Sequence, residues 1–144
     1  MRPFIAFVTL AWCSIATSLS AFATDGTPVA IKGYDPVAYF TAGHPMQGRA
    51  DLELVWDEQR YRFASEENRT RFKADPVRYA PQFSDYCAMA LSKGELVEAN
   101  PENWTIVDGK LYIFGKSAGP QLFRKDLAAN QAKAEGNRKM LPPR

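Results

Sequence analysis

Cysteine and histidine are scarce in this chain, which holds two cysteines, Cys13 and Cys87, and one histidine, His44. Excess charge of either sign is scarce too: 18 Lys and Arg face 16 Asp and Glu, for a formal net charge of +2. So small an excess argues against nucleic acid or an acidic membrane surface as the main partner. No glycine-rich phosphate loop, low-complexity run or linker interrupts the sequence. The apolar run from Phe4 to Ala16 falls short of the about 20 apolar residues that a membrane span needs.

What stands at the start is read differently. Arg2 gives a basic opening, and Ser14, Thr17, Ser18 and Ser20 dilute the apolar run. Ala21-Phe22-Ala23 then forms a small-residue exit before Thr24-Asp25-Gly26. These are the three parts of a removable signal peptide, so residues 1–23 are expected to be cleaved and the rest exported, periplasmic or secreted, without a membrane span. Cleavage would leave 121 of the 144 residues, enough for one domain with its own core. It would also remove Cys13 and leave Cys87 as the single thiol in an oxidising compartment. An internal disulfide is then excluded, and so is redox work through two resolving cysteines. Stability has to come from packing, for which nine Phe, six Tyr and three Trp supply bulky apolar area.

The pattern along the chain predicts an α+β fold. Asp35-Pro36 suits the start of a short helical turn. Leu52, Leu54 and Trp56 alternate, as do Tyr61 and Phe63, with Asp57-Glu58-Gln59-Arg60 as a hairpin connection. Ser65 before Glu66 and Glu67 marks a helix start, and Asp75-Pro76 its end. Val77–Ala80 reads as a short turn, and 83–93 as a helix stopped by Gly94. In the second half Trp104 and Ile106 alternate, Asp108-Gly109 is a two-residue hairpin turn, and 111–114 is a strand. Segments 117–125 and 127–139 read as helices or one broken helix. The halves match at an offset of 51: Tyr61 with Tyr112, Phe63 with Phe114, Phe72 with Phe123, Asp75 with Asp126. The expectation is one small domain over 24–140, made of two pseudo-repeated hairpin-plus-helix units at about 30–93 and 95–140. Residues 141–144 are expected to form a frayed tail.

The segment Gly33-Tyr34-Asp35-Pro36-Val37-Ala38-Tyr39-Phe40 resembles the opening of the YHS domain family. The stretch from Tyr61 to Phe72 is similar to the family's second motif, and Ala74-Asp75-Pro76-Val77-Arg78-Tyr79 to its aspartate-proline-x-x-tyrosine close. Tyr86-Cys87-Ala88 matches a tyrosine-cysteine-alanine element of the exported branch, whose tail the second half resembles. Through the related TRASH-type domains, the resemblance implies binding of soft or borderline metals such as copper or zinc. In metal-binding members, cysteines lie at positions matched here by Ala38, Ala64 and Asn68, none of which supplies a thiolate.

The soft or imidazole candidates outside the signal peptide include Cys87, His44, Met46 and Met89, a donor set that suits copper. Against this, His44 between Gly43 and Pro45 reads as a loop residue and Cys87 as a small buried hydrophobe. A second candidate group is Tyr34, Asp35, Tyr39, Tyr86 and Cys87, which flank turns and could line a ligand pocket. A cysteine nucleophile would have only His44 as its imidazole base. Of the carboxylates Asp35, Asp57, Glu66, Glu67, Asp75, Asp85, Asp108 and Asp126, most have accounts as caps, turns or solvated faces. The first expectation is therefore an exported protein that handles or binds a copper-type metal without catalysis. The alternative is a module that binds a small ligand or a partner protein without metal, and a thiol-dependent enzyme or redox protein using Cys87 stands third. The first two readings differ on one point: whether Cys87 meets His44 or a methionine, or is buried among apolar groups.

Overall fold

The computed structural model describes residues 26–143. The expected signal peptide and Cys13 lie outside the described residues. The chain opens on a tight turn over Ala30–Gly33 that places Ile31 (φ 42°) and Lys32 (φ 51°) in the left-handed region. A β-branched side chain rarely adopts that conformation. Ile31 is held there by burial and by its N–H, which donates to Asp85 Oδ1 at 2.6 Å. Helix α1 (Ala38–Thr41) follows.

Two antiparallel hairpins form the sheets: β1 (Arg49–Trp56) with β2 (Gln59–Phe63), and β3 (Asn100–Val107) with β4 (Lys110–Phe114). Their registers coincide at the offset of 51. Arg49 faces Phe63 and Leu54 faces Tyr61, as Asn100 faces Phe114 and Thr105 faces Tyr112. Each first strand also carries an irregularity at the matching place, between Arg49 and Glu53 and between Asn100 and Trp104. The two-residue turns need φ above zero at both positions. Asp108 (51°) and Gly109 (70°) supply it in one hairpin, and Asp57 (50°) and Glu58 (57°) in the other.

Helix α2 (Glu66–Ala74) starts where Ser65 Oγ accepts from Asn68 N at 3.1 Å, with Glu66 and Glu67 in its first turn. Asp75 leaves helical geometry and caps α3 (Pro76–Tyr79) through Arg78 N. In the second half α5 (Gly119–Lys125) and α6 (Leu127–Gly136) are separate helices, broken at Asp126 (φ −138°, ψ 65°). Phe72 packs on Tyr61 and Phe63 at ring distances of 4.7 and 5.3 Å; Phe123 packs on Tyr112 and Phe114 at 5.1 and 5.4 Å. Gly119 permits the close approach of α5, since a Cβ there would lie 2.5 Å from Phe114 Cβ.

The expected helix over 83–93 is corrected to α4 (Ala88–Ser92). Ser84 turns left-handed (φ 55°), Tyr86 bridges to Glu98, and Cys87 N donates to Val97 O at 2.8 Å. These contacts hold the chain extended until Cys87 Sγ accepts from Ala90 N at 3.4 Å and starts the helix. Gly94 (φ 78°) closes it as expected.

Strand β4 is buried on both faces. Leu111 and Ile113 join one core with Tyr39, Tyr61, Phe63 and Phe72. Tyr112 and Phe114 join the other with Phe83, Cys87, Leu91 and Phe123. The period-two alternation of a strand thus makes β4 the wall between two cores.

Candidate functional site

The opening segment positions Tyr34, Asp35 and Tyr39 by bonding them to both hairpin units. Asp35 is fully buried. Its Oδ1 accepts from Val37 N (2.8 Å) and Ala38 N (3.3 Å), and its Oδ2 from Ala64 N (2.8 Å) and Asn68 Nδ2 (2.7 Å). Four donors use the lone pairs of both oxygens, so the carboxylate acts as a cap and a junction. Asn68, at a position where the resemblance puts a cysteine, gives its amide to this junction. Tyr39 is buried, edge-on to Trp104 at 5.2 Å, and donates to Pro101 O at 3.0 Å. Burial, with nearby negative charge second, pushes its hydroxyl well above the usual tyrosine range. Tyr34 donates to Glu102 Oε1 at 2.6 Å, and this bond raises its pKa as well.

The expected metal candidates fall into two places. Cys87 and Met89 belong to the second core, where Cys87 is 6% exposed among Phe83, Leu91, Phe114 and Phe123. His44 is exposed in the loop between α1 and β1 with its Nδ1 at 3.1 Å from Pro45 O. Met46 lies in the same loop, and its carbonyl accepts from Asp35 N at 2.8 Å. Among the described residues, no group of three or more His, Cys, Asp or Glu side chains is arranged to hold a metal ion.

Of the expected ligand group, Tyr86 opens onto a concavity. A cleft of about 470 Å³ is lined by Tyr86 and its neighbours Ser84 and Asp85, by Gln59 and Glu58 at the first hairpin turn, and by Glu98. Pro28, Leu141, Pro142 and Pro143 complete its lining, so part of the expected frayed tail is a wall of the cleft. The polar groups are mutually fixed. Asp85 Oδ2 accepts from Gln59 Nε2 at 2.9 Å, while Gln59 Oε1 accepts from Ser84 Oγ at 3.0 Å and Tyr61 Oη at 3.3 Å. Glu98 faces Lys32 at 3.3 Å. Left-handed residues surround this site: Ile31 bonds Asp85, and Glu58 and Ser84 line the cleft. Such backbone strain is retained where surrounding structure over-determines it, and it clusters at ligand sites.

Sequence reasoning reached Tyr86 but left Asp85 among the carboxylates of caps, turns and solvated faces, and missed Gln59, Ser84, Glu98 and the terminal prolines. These come from five separated stretches, and no local spacing links them. The one signal was Asp57-Glu58, a hairpin turn that lacks the glycine its geometry favours.

Comparison of the chain with family profiles, curated proteins and solved structures gives no match.

Proposed function

We propose that this chain is an exported YHS-type binding module that takes a small organic cation in the Tyr86 cleft and carries out no catalysis. The observation that supports this reading most directly is the chemistry of the cleft. Asp85 and Glu58 bring negative charge, Glu98 stands beside them paired with Lys32, Tyr86 brings an aromatic ring, and three prolines with Leu141 bring rigid apolar area. A few convergent polar groups in an otherwise apolar concavity are what a small-ligand site requires. An aromatic ring beside carboxylates favours an ammonium or guanidinium carried on a short apolar stem. The copper reading implied by the resemblance would need Cys87 to reach solvent and His44, so the geometry gives the cleft more weight.

The test is an NMR titration of untagged protein with arginine and with its neutral analogue citrulline. Arginine is expected to shift the amides of Gln59, Asp85 and Tyr86 saturably, and citrulline is expected to leave them in place. Tyr86→Ala should weaken the arginine response about tenfold, in line with one aromatic contact to a desolvated cation. If the two ligands act alike, or neither moves these amides, the reading fails.

A further inference from the structure

Among the described residues, most arginines have a carboxylate partner. Arg49, Arg62, Arg69, Arg71 and Arg138 each meet one at 2.6–2.8 Å. Arg124 has no carboxylate partner among the described residues. Its Nη2 donates instead to Thr105 Oγ1 and, at 3.4 Å, to Ile106 O. Both acceptors lie on β3, so the guanidinium is tethered while Nε and Nη1 remain as donors.

The tethered arginine lines a groove of about 470 Å³, with Trp104, Ile106, Pro120 and Gln121 as the other main walls. Trp104 is fixed by its edge-on contact with Tyr39. The first hairpin unit has a groove in the matching place, lined by Leu54, Glu66, Arg69, Thr70 and Lys73. There Arg69 is neutralised by Glu66 at 2.6 Å. At the offset of 51, Ser117 stands for Glu66, Pro120 for Arg69 and Arg124 for Lys73. The second groove therefore holds a cation without an acid, on a more apolar wall.

We propose that the Trp104–Arg124 groove binds a carboxylate carried on a flat apolar body. The planar fork of arginine matches a carboxylate in two-point geometry. Trp104, Ile106 and Pro120 offer the apolar surface on which an aromatic body packs. None of the lining residues belongs to the Tyr86 cleft, so this site stands or falls independently of the cation reading.

Three probes test it by NMR titration up to about 10 mM, which reaches millimolar affinity. They are phenylacetate, its neutral amide, and acetyl-Gly-Gly-Phe with a free C-terminus. Phenylacetate and the peptide are expected to shift the amides of Trp104, Ile106 and Gln121 saturably; the tighter of the two tells a free acid from a chain end. The amide should bind at least about tenfold more weakly, the loss expected when a charged hydrogen-bond partner is removed. Arg124→Gln should cause a similar loss. Gln121→Glu sets an acid three residues before Arg124 on α5, and it should weaken acid binding without altering the melting temperature. Equal affinity for acid and amide, unchanged acid binding in Gln121→Glu, or no saturable shift in the wild type would overturn the proposal.

Discussion

Tyr39 couples a single proton to the whole fold. Its hydroxyl is buried and bonded to Pro101 O, and its pKa lies above the ordinary tyrosine value of 10.0. In the unfolded chain Tyr39 ionises near that ordinary value. The folded chain keeps the proton to higher pH. The stability from this difference is therefore complete below about pH 10 and drains away as pH rises toward the folded pKa. Tyr39→Phe loses one buried hydrogen bond, which costs about 1 kcal/mol at neutral pH. In exchange, its melting temperature should fall less steeply than the wild type's above about pH 10. Thermal melts of both proteins across that range check this, and identical slopes would refute it. Asp35 shows how far a single residue can be read in sequence. Its capping of the next turn was legible, because that bond is local. Its bonds to Ala64 and Asn68 were not, because they cross 29 and 33 residues.

The hairpins show how a secondary-structure element can depart from its own local rules. Asp108-Gly109 is the residue pair its turn prefers, while Asp57-Glu58 forces a glutamate to φ 57°. A left-handed L-residue costs about 1–2 kcal/mol, and glycine avoids that cost. Glu58→Gly should therefore raise stability by about 1 kcal/mol, seen as a higher denaturant midpoint with an unchanged slope. Glu58 also lines the Tyr86 cleft, so the same variant should bind arginine more weakly. A variant that is both more stable and equally competent would separate the strain from the site. Strand alternation, helix starts and the two hairpin turns were legible because each depends on a few adjacent residues. Helix α4 was legible only in part: the pairing of Tyr86 and Cys87 with the 97–98 stretch replaced its first turn, and that competition is not local.

At the scale of the molecule, β4 ties the two cores together. Leu111 and Ile113 complete the core built on Tyr61, Phe63 and Phe72, and Ala99 from the second half joins it. The first hairpin unit is thus unfinished without the second. Residues 26–94 expressed alone should stay unfolded, with a disordered circular dichroism spectrum, while the full domain should melt in one transition. A folded, cooperatively melting fragment would show that the cores are independent. The α+β class was readable from the alternating strands and capped helices. The placement of the sites was not: the Tyr86 cleft joins residues from both halves of the chain, and the Trp104–Arg124 groove joins strand β3 to helix α5 across about 15 residues of sequence.

Pro28 near one end of the described chain and Pro142-Pro143 near the other line the same cleft. The two ends therefore come together in space, which favours joining them and opening the chain elsewhere. The Lys93-Gly94-Glu95 turn between the units is the natural place for new termini. The same closeness has an experimental consequence. An affinity tag joined directly to residue 26 or residue 143 would start beside the cleft, and a cationic one would act there as a tethered competitor.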